Sequence, residues 1–406
     1  MKASPTLHIA LPAMNEREFI GATLQCLAEQ TYQRQEVWIC INQPEAWWHD
    51  AEKKAICENN SQTLTWLSNC NLPKLRIIDK SSPGMGWTGK AHGVGQARKT
   101  LMDSIAQQAT AGDIIVSLDA DTHFGPGYLE SIVRIFHNNA RVLALSNPYF
   151  HELTGNEVLD RAMLRYEIYM RHYSLNMFRI SSPYSFTALG SAISFPVETY
   201  RKIGGMTAKK SGEDFYLLQK IRKAGIIAHY NTELVYPATR YSDRVFFGTG
   251  PALIKGSQGN WSSYPIYDFR LFDRVKETYD LFATLFHREI KTPMCAFLQS
   301  QFADEDIFGP LRKNFKSAQK FIEACHHKVD GLRVLQYLKY HQGMTDYNDE
   351  NNLLQFMQVF YPDFFNIFEK RSIQSLSFHT SSIEQLNKVR IFLMEKEKLF
   401  QINQQK

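Results

Sequence analysis

The chain predicts an α/β protein in which a mostly parallel sheet flanked by helices is followed by a mainly helical C-terminal region. Three observations carry that prediction. Short apolar segments alternate with helix-length amphipathic ones up to about residue 245. Polar residues suited to ligand contact fall just after the apolar segments, where parallel sheets place their sites. Beyond residue 265 the strand signals thin out and helical spacing takes over.

Leu7 to Pro12 reads as a buried strand, and Glu16 to Gln30 as a helix with Phe19, Ile20, Leu24 and Leu27 on one face. Glu36 to Ile41 is β-like, Trp47 to Ser68 mostly helical, and Leu75 to Asp79 β-like again. The loop Ser81 to Gly89, rich in Gly and Ser, leads into a helix with Val94, Ala97, Leu101 and Ile105 at helical spacing. Gly112 stops that helix, and Asp113 to Leu118 forms a short strand ending at Asp119. Asn15, Asn42, Asp79 and Asp119 therefore fall at strand ends. Further on, Leu311 to His327 and Val329 to His341 read as helices, and the charged run Glu395 to Lys398 closes a last one before a polar tail. An α/β domain over 1–250 and a helical region over 251–406 are expected, the division lying between Tyr241 and Phe269.

Composition narrows the class. A length of 406 residues favours two domains, and 44% hydrophobic residues supply real cores. No apolar run is long enough for a spanning helix, and Pro5 and His8 interrupt any leader-like segment. The six cysteines form no CxxC pair, and several sit in apolar segments, as free buried thiols do. A reducing, cytoplasmic compartment is expected. The net charge of +5 suits an anionic substrate or peripheral contact with the inner face of an anionic membrane, and is too small to argue for nucleic acid.

The strongest chemical signal is Asp119-Ala120-Asp121. Two carboxylates one residue apart, just past an apolar strand, can address one hard cation, Mg²⁺ or Mn²⁺, that bridges to phosphate oxygens. A solvated turn has the same look, so context matters. The preceding helix carries Lys90, Arg98 and Lys99 behind a glycine-rich entry, and free N–H groups at a helix start favour phosphate. Lys99 reads as solvated. Arg98, beside Ala97, faces the sheet and suits either the acidic strand end or a phosphate. A second acidic pair, Glu213-Asp214, precedes Phe215, Leu218 and Ile221 at helical spacing, with Ser211 placed to cap the helix. Helix-start electrostatics alone would explain acids there. The functional reading is a general base that takes the proton of an acceptor hydroxyl.

In this order the motifs resemble the family-two glycosyltransferases. Ile9-Ala-Leu-Pro12-Ala-Met-Asn15-Glu16 is similar to the opening strand of that family. The glycine-rich loop, the Lys90 to Arg98 helix and Asp119-Ala-Asp121 with Pro126-Gly-Tyr-Leu129 follow. Leu189-Gly190-Ser-Ala-Ile-Ser-Phe195, Ile203-Gly-Gly-Met206 and Gly212-Glu213-Asp214 complete the series, which covers a little more than half the chain. The resemblance implies a Rossmann-like GT-A fold and sugar transfer from a nucleotide-diphosphate sugar with inversion. It implies a donor site formed by Pro12, Asn15, Glu16, Asn42, Lys90, Arg98, Asp119, Gly190 and Arg244. Asp121 becomes the principal metal ligand, with Asp119 on the ribose or the metal. Asp214 becomes the base, Glu213 the weaker candidate, and Gly190 a point of close backbone approach to the donor sugar.

Two departures stand out. Where many members carry Asp-Asp or Asp-Asn after the second strand, this chain has Ile41-Asn42-Gln43. No His follows the last core strand as a third metal ligand. Arg240 and Arg244 instead suggest either a phosphate-gripping loop or a basic surface loop, and His229 reads as a core residue. The acceptor, whether saccharide, lipid or small molecule, is not legible. By position Arg161 to Phe186, with Tyr166, Tyr169, Arg171, His172, Tyr173 and Tyr184, would wall its site, although such a stripe at helical spacing also makes ordinary core. Trp261, Tyr264 and Tyr267 are further acceptor candidates. The rival readings are a sugar-phosphate nucleotidyltransferase and a carbohydrate-binding relic. The first needs a glycine-rich loop after the first strand, which Met14-Asn-Glu-Arg-Glu18 lacks.

Overall fold

A computed structural model describes residues 4–404, except 71, 73, 243–247, 345–346 and 368–375. Two compact units emerge. The first runs through Met163 and resumes at Phe186–Gly259; the second comprises Leu164–Ser185 and Asn260–Asn403.

The first unit is a mixed α/β layer structure, as the alternating pattern predicts. Its strands are β1 (Leu7–Ala13), β2 (Gln35–Asn42), β3 (Leu75–Lys80), β4 (Ile114–Ser117), β5 (Thr122–Phe124), β6 (Val142–Ser146), β7 (Ile193–Pro196), β8 (Ile226–Ala228) and β9 (Val235–Pro237). Its main helices are α1 (Ile20–Ala28), α2 (Lys54–Ser68), α3 (Val94–Gln108), α4 (Tyr128–Asn138), the start of α5 (Glu157–Arg179), α6 (Val197–Lys202), α7 (Glu213–Ala224) and α8 (Thr249–Ser257). Seven strands form one sheet in the order β3-β2-β1-β4-β7-β6-β8. The β1–β2, β1–β4, β2–β3 and β6–β8 pairs are parallel, and β7 alone runs antiparallel to its neighbours β4 and β6. Every residue of β1 is buried, which is why Leu7-His-Ile-Ala-Leu-Pro-Ala13 reads as a continuous apolar run. A separate two-stranded ribbon pairs β5 with β9 and fastens the stretch after Asp121 to the stretch before Arg240.

Several local expectations shift. The first helix begins at Ile20, because Asn15 takes a left-handed φ of 59° and the chain turns before it can wind. Glu45–His49 forms a short 3₁₀ turn ahead of α2. The helix expected from Leu311 to His327 is two, Gly309–Asn314 and Ala318–Lys328, since Phe315 and Ser317 are extended. Ser211 does not cap α7: that position belongs to Gly212 at φ 72°, with no side-chain bond to the helix start.

The second unit is helical and is held by buried charge as well as apolar packing. Arg171 donates to Glu167 at 2.6 and 2.9 Å and to Glu397 at 2.7 Å, and Ser174 donates to Glu397 at 2.6 Å. Arg390 reaches the other Glu167 oxygen at 3.3 Å. His172 packs edge-on against Phe356, and burial pushes its pKa down to about 3. Tyr173 packs edge-on against Tyr267 and Phe272, and Tyr184 donates to the His326 carbonyl. Arg165 lies over the Trp261 and Phe378 rings and donates to the Tyr264 carbonyl. These side chains, candidates for acceptor contact from sequence, are engaged in packing within this unit. No described helix is long and apolar enough to cross a membrane.

Removing one member of a buried ion cluster leaves the others uncompensated. Arg171→Leu is therefore expected to cost about 3–5 kcal/mol, read as a lower urea midpoint for the helical unit.

Candidate active site

The carboxyl ends of β1, β2, β3 and β4 deliver the site residues to one edge of the sheet. At the β1 exit the Asn15 N–H donates to Asn60 Oδ1 at 2.8 Å, and Asn60 donates on to Gln43 Oε1 at 2.7 Å. Asn42 donates to the Ala13 carbonyl at 3.0 Å and accepts from the Trp87 indole at 3.3 Å. The β1 and β2 exits are thus locked together, with Pro12 buried in the strand that leads there. Asp79 is consumed locally: its Oδ1 accepts from the Ser81 and Ser82 N–H groups at 2.8 and 3.0 Å. The glycine-rich loop is tied down by Glu45, which accepts from Gly84 and Gly86 at 2.8 Å each. Lys90, at the end of that loop, is exposed.

Arg98 is the centre of the site. It rises from α3, 2% exposed, and donates to Asp119 at 2.7 Å, Glu213 at 3.2 Å, the Gly190 carbonyl at 3.1 Å and the Ser117 hydroxyl. Ser117 in turn donates to the Gly190 carbonyl at 2.6 Å. Burial works to lower the Arg98 pKa, but Asp119 and Glu213 outweigh it, and the guanidinium stays charged. One side chain therefore joins the acidic turn after β4 to the start of α7. Gly190 earns its place here: a Cβ at that position would sit 2.5 Å from Arg98 Nη2 and 3.1 Å from Cζ.

Asp214 lies beside Glu213 in the first turn of α7 and accepts from the Phe215 N–H at 2.7 Å. Burial, reinforced by the neighbouring Glu213 and Asp119 charges and opposed by Arg98, pushes its pKa up to about 7. Asp119 and Asp214 thus share one electrostatic neighbourhood.

The second cation of the site was not assigned its partners from sequence. Arg240, just past β9, donates to Asp121 Oδ2 through Nε at 2.7 Å and lies 2.5 Å from it through Nη2. Nη2 also reaches both Glu16 oxygens, at 2.7 and 2.8 Å. Its guanidinium stacks 4.2 Å over the Phe19 ring. The Asp121 carbonyl accepts from the Ala238 N–H at 3.1 Å, so β9 brings Arg240 to the turn by backbone pairing. Burial raises the Asp121 pKa, against Arg240, with Asp119 adding to the rise. The only available sequence signal was the position of Arg240 after the last strand. Arg244 lies outside the described residues.

Gly190→Ala is expected to force Arg98 off its four partners, lowering stability by about 1–3 kcal/mol and reducing activity. Thermal unfolding beside a turnover assay checks this; an unchanged melting temperature would show that the guanidinium has room to move.

Residues 114–258, a little over a third of the chain, match the model of the glycosyl transferase family group 2. That span includes Asp119, Asp121, Gly190, Glu213, Asp214 and Arg240. No curated protein matches the chain. Among solved structures, S. aureus TarS 1-349 in complex with UDP-GlcNAc is similar at 12% identity and a TM-score of 0.39, over 98% of this chain and 91% of that one. The mannosyltransferase PcManGT from Pyrobaculum calidifontis, in complex with GDP-Man and Mn²⁺, is similar at 13% identity and 0.39, over 98% and 88%. Over that span, which holds the acidic turn, the antiparallel strand β7 and the α7 start, the chain is similar to the glycosyl transferase family group 2.

Proposed function

We propose that the enzyme moves a sugar from a nucleotide-diphosphate sugar to an acceptor hydroxyl, with inversion at the anomeric carbon and Asp214 as general base. The observation that carries this reading is the Arg98 bridge, which joins Asp119 of the acidic turn to Glu213 at the start of α7. A hydroxyl is a poor nucleophile until its proton leaves. A carboxylate whose pKa lies near 7 is suited to accept that proton. Glu213 is already held by Arg98, which leaves Asp214 as the base. The acceptor oxygen then forms its bond to the anomeric carbon while the carbon–phosphate oxygen bond breaks. The electron pair departs with the nucleoside diphosphate, and no covalent sugar–enzyme intermediate is needed.

The donor would lie across the β1, β2 and β4 exits, with Pro12, Asn15 and Asn42 on the nucleoside side and Lys90 toward the phosphates. The site also suits Mg²⁺ or Mn²⁺. Asp119 and Glu213 pair with Arg98, and Glu16 and Asp121 with Arg240, so the site gathers several carboxylates around two guanidinium groups. A diphosphate entering such a pocket needs further positive charge, and an all-oxygen donor set matches a hard cation. Asp121 and Asp119 would hold it, and when bound it would neutralise charge on the departing diphosphate. Cytoplasmic residence, with the net charge of +5 drawing the protein to an anionic membrane face, belongs to the same reading. The free thiols agree with it.

A screen of nucleotide sugars tests the class: release of a nucleoside diphosphate supports transfer, whereas pyrophosphate would mean nucleotidyl transfer. Asp214→Asn should lower kcat by roughly 10²–10⁴, and Glu213→Gln by less. The wild-type rate should climb as pH rises through about 7 and Asp214 deprotonates. Stability should move the other way. The folded chain binds the extra proton between the ordinary 3.8 and about 7, so this group's stabilising contribution is full below that window and lost above it. At pH 8 Asp214→Asn should therefore melt above wild type; equal melting at pH 8 and pH 5 would contradict the raised pKa.

A further inference from the structure

We propose that Arg240 is a built-in counter-ion of Asp121 that competes with a divalent cation for that carboxylate, and that on displacement it turns to the donor's diphosphate. The inference rests on the reading of Asp119 and Asp121 as cation-facing acids.

The contact geometry sets up the competition. Two N–H groups of Arg240 converge on Asp121 Oδ2, at 2.7 Å from Nε and 2.5 Å from Nη2. An arginine cannot shed its charge, so its positive field leaves the carboxylate only if the side chain moves. A cation bound to Asp121 at about 2 Å would stand against that guanidinium, like charge to like. Each occupant must then weaken the other by the same factor.

Glu16 and Phe19 give the displaced group somewhere to pivot. Both Glu16 oxygens are within 2.8 Å of Nη2, and the Phe19 ring lies 4.2 Å beneath the guanidinium. Glu16 is 3% exposed, and its charge is balanced by Arg240 in place of water. Release from Asp121 frees the Nε edge while Nη2 stays anchored. A planar donor fork is then free beside the acidic turn, which suits phosphate oxygens.

The test is Mn²⁺ binding by the full chain without nucleotide, followed by the electron paramagnetic resonance of the free ion. Arg240→Gln should bind Mn²⁺ roughly fivefold or more tightly than wild type, the lower end of a typical coupling. In saturating Mn²⁺ it should bind UDP or GDP, whichever wild type prefers, several-fold more weakly by calorimetry. Arg240→Lys serves if the Gln variant fails to fold: its ammonium cannot hold Asp121 and Glu16 together, so it too should bind Mn²⁺ more tightly. Equal Mn²⁺ affinity in wild type and a folded Arg240 variant overturns the competition and leaves the cation reading standing. No Mn²⁺ binding by either protein overturns both.

Discussion

The site depends on one buried guanidinium. Arg98 sits on α3, yet its partners come from β4, from the turn after it, from the stretch before β7 and from the start of α7. A charge taken out of water is tolerated only when it is paired and hydrogen-bonded. Arg98 meets that condition by drawing two acids and a carbonyl to itself. Those acids lie far apart in the chain, so the requirement to satisfy Arg98 is also what gathers them. Gly190 is the steric counterpart: its carbonyl can approach because no side chain is present.

Charge balance explains the division of labour among the carboxylates. Glu213 pairs directly with Arg98 at 3.2 Å, whereas at Asp214, next in the chain, burial and the repulsion of Glu213 outweigh the pull of Arg98. Two adjacent acids thus acquire different electrostatic surroundings from one cation paired with the first. The same logic operates at the other end of the pocket, where Arg240 is shared between Glu16 and Asp121. Each arginine thus holds two carboxylates at its end of the site.

Much of this was legible along the chain. The strands β1, β2 and β4 are buried on both faces, so their apolar runs are unbroken and their ends could be read to within a few residues. The acid pairs stood out because they follow a strand end or begin a helix. What escaped has physical causes. Strand β7 has the same apolar texture as its neighbours β4 and β6, to which it runs antiparallel, and direction leaves no mark on composition. Ser211 was the better cap by propensity, but the left-handed turn at Gly212 places the helix start one residue later. Asp79 has the type and position of a ligand residue, yet nearby N–H groups in its own loop claim it first.

By itself the sequence determined the alternation of strand and helix, the burial of the central strands, and which residue types stand at the strand ends. These follow from local hydrophobic period and turn chemistry, which act over a few residues. The pairing of Arg98 with Asp119 and Glu213, and of Arg240 with Glu16 and Asp121, was decided only by tertiary structure. Those partners are separated by up to 224 positions along the chain. Only the sheet order and the β5–β9 ribbon bring them within hydrogen-bond distance, and a charge selects its partner by distance in space.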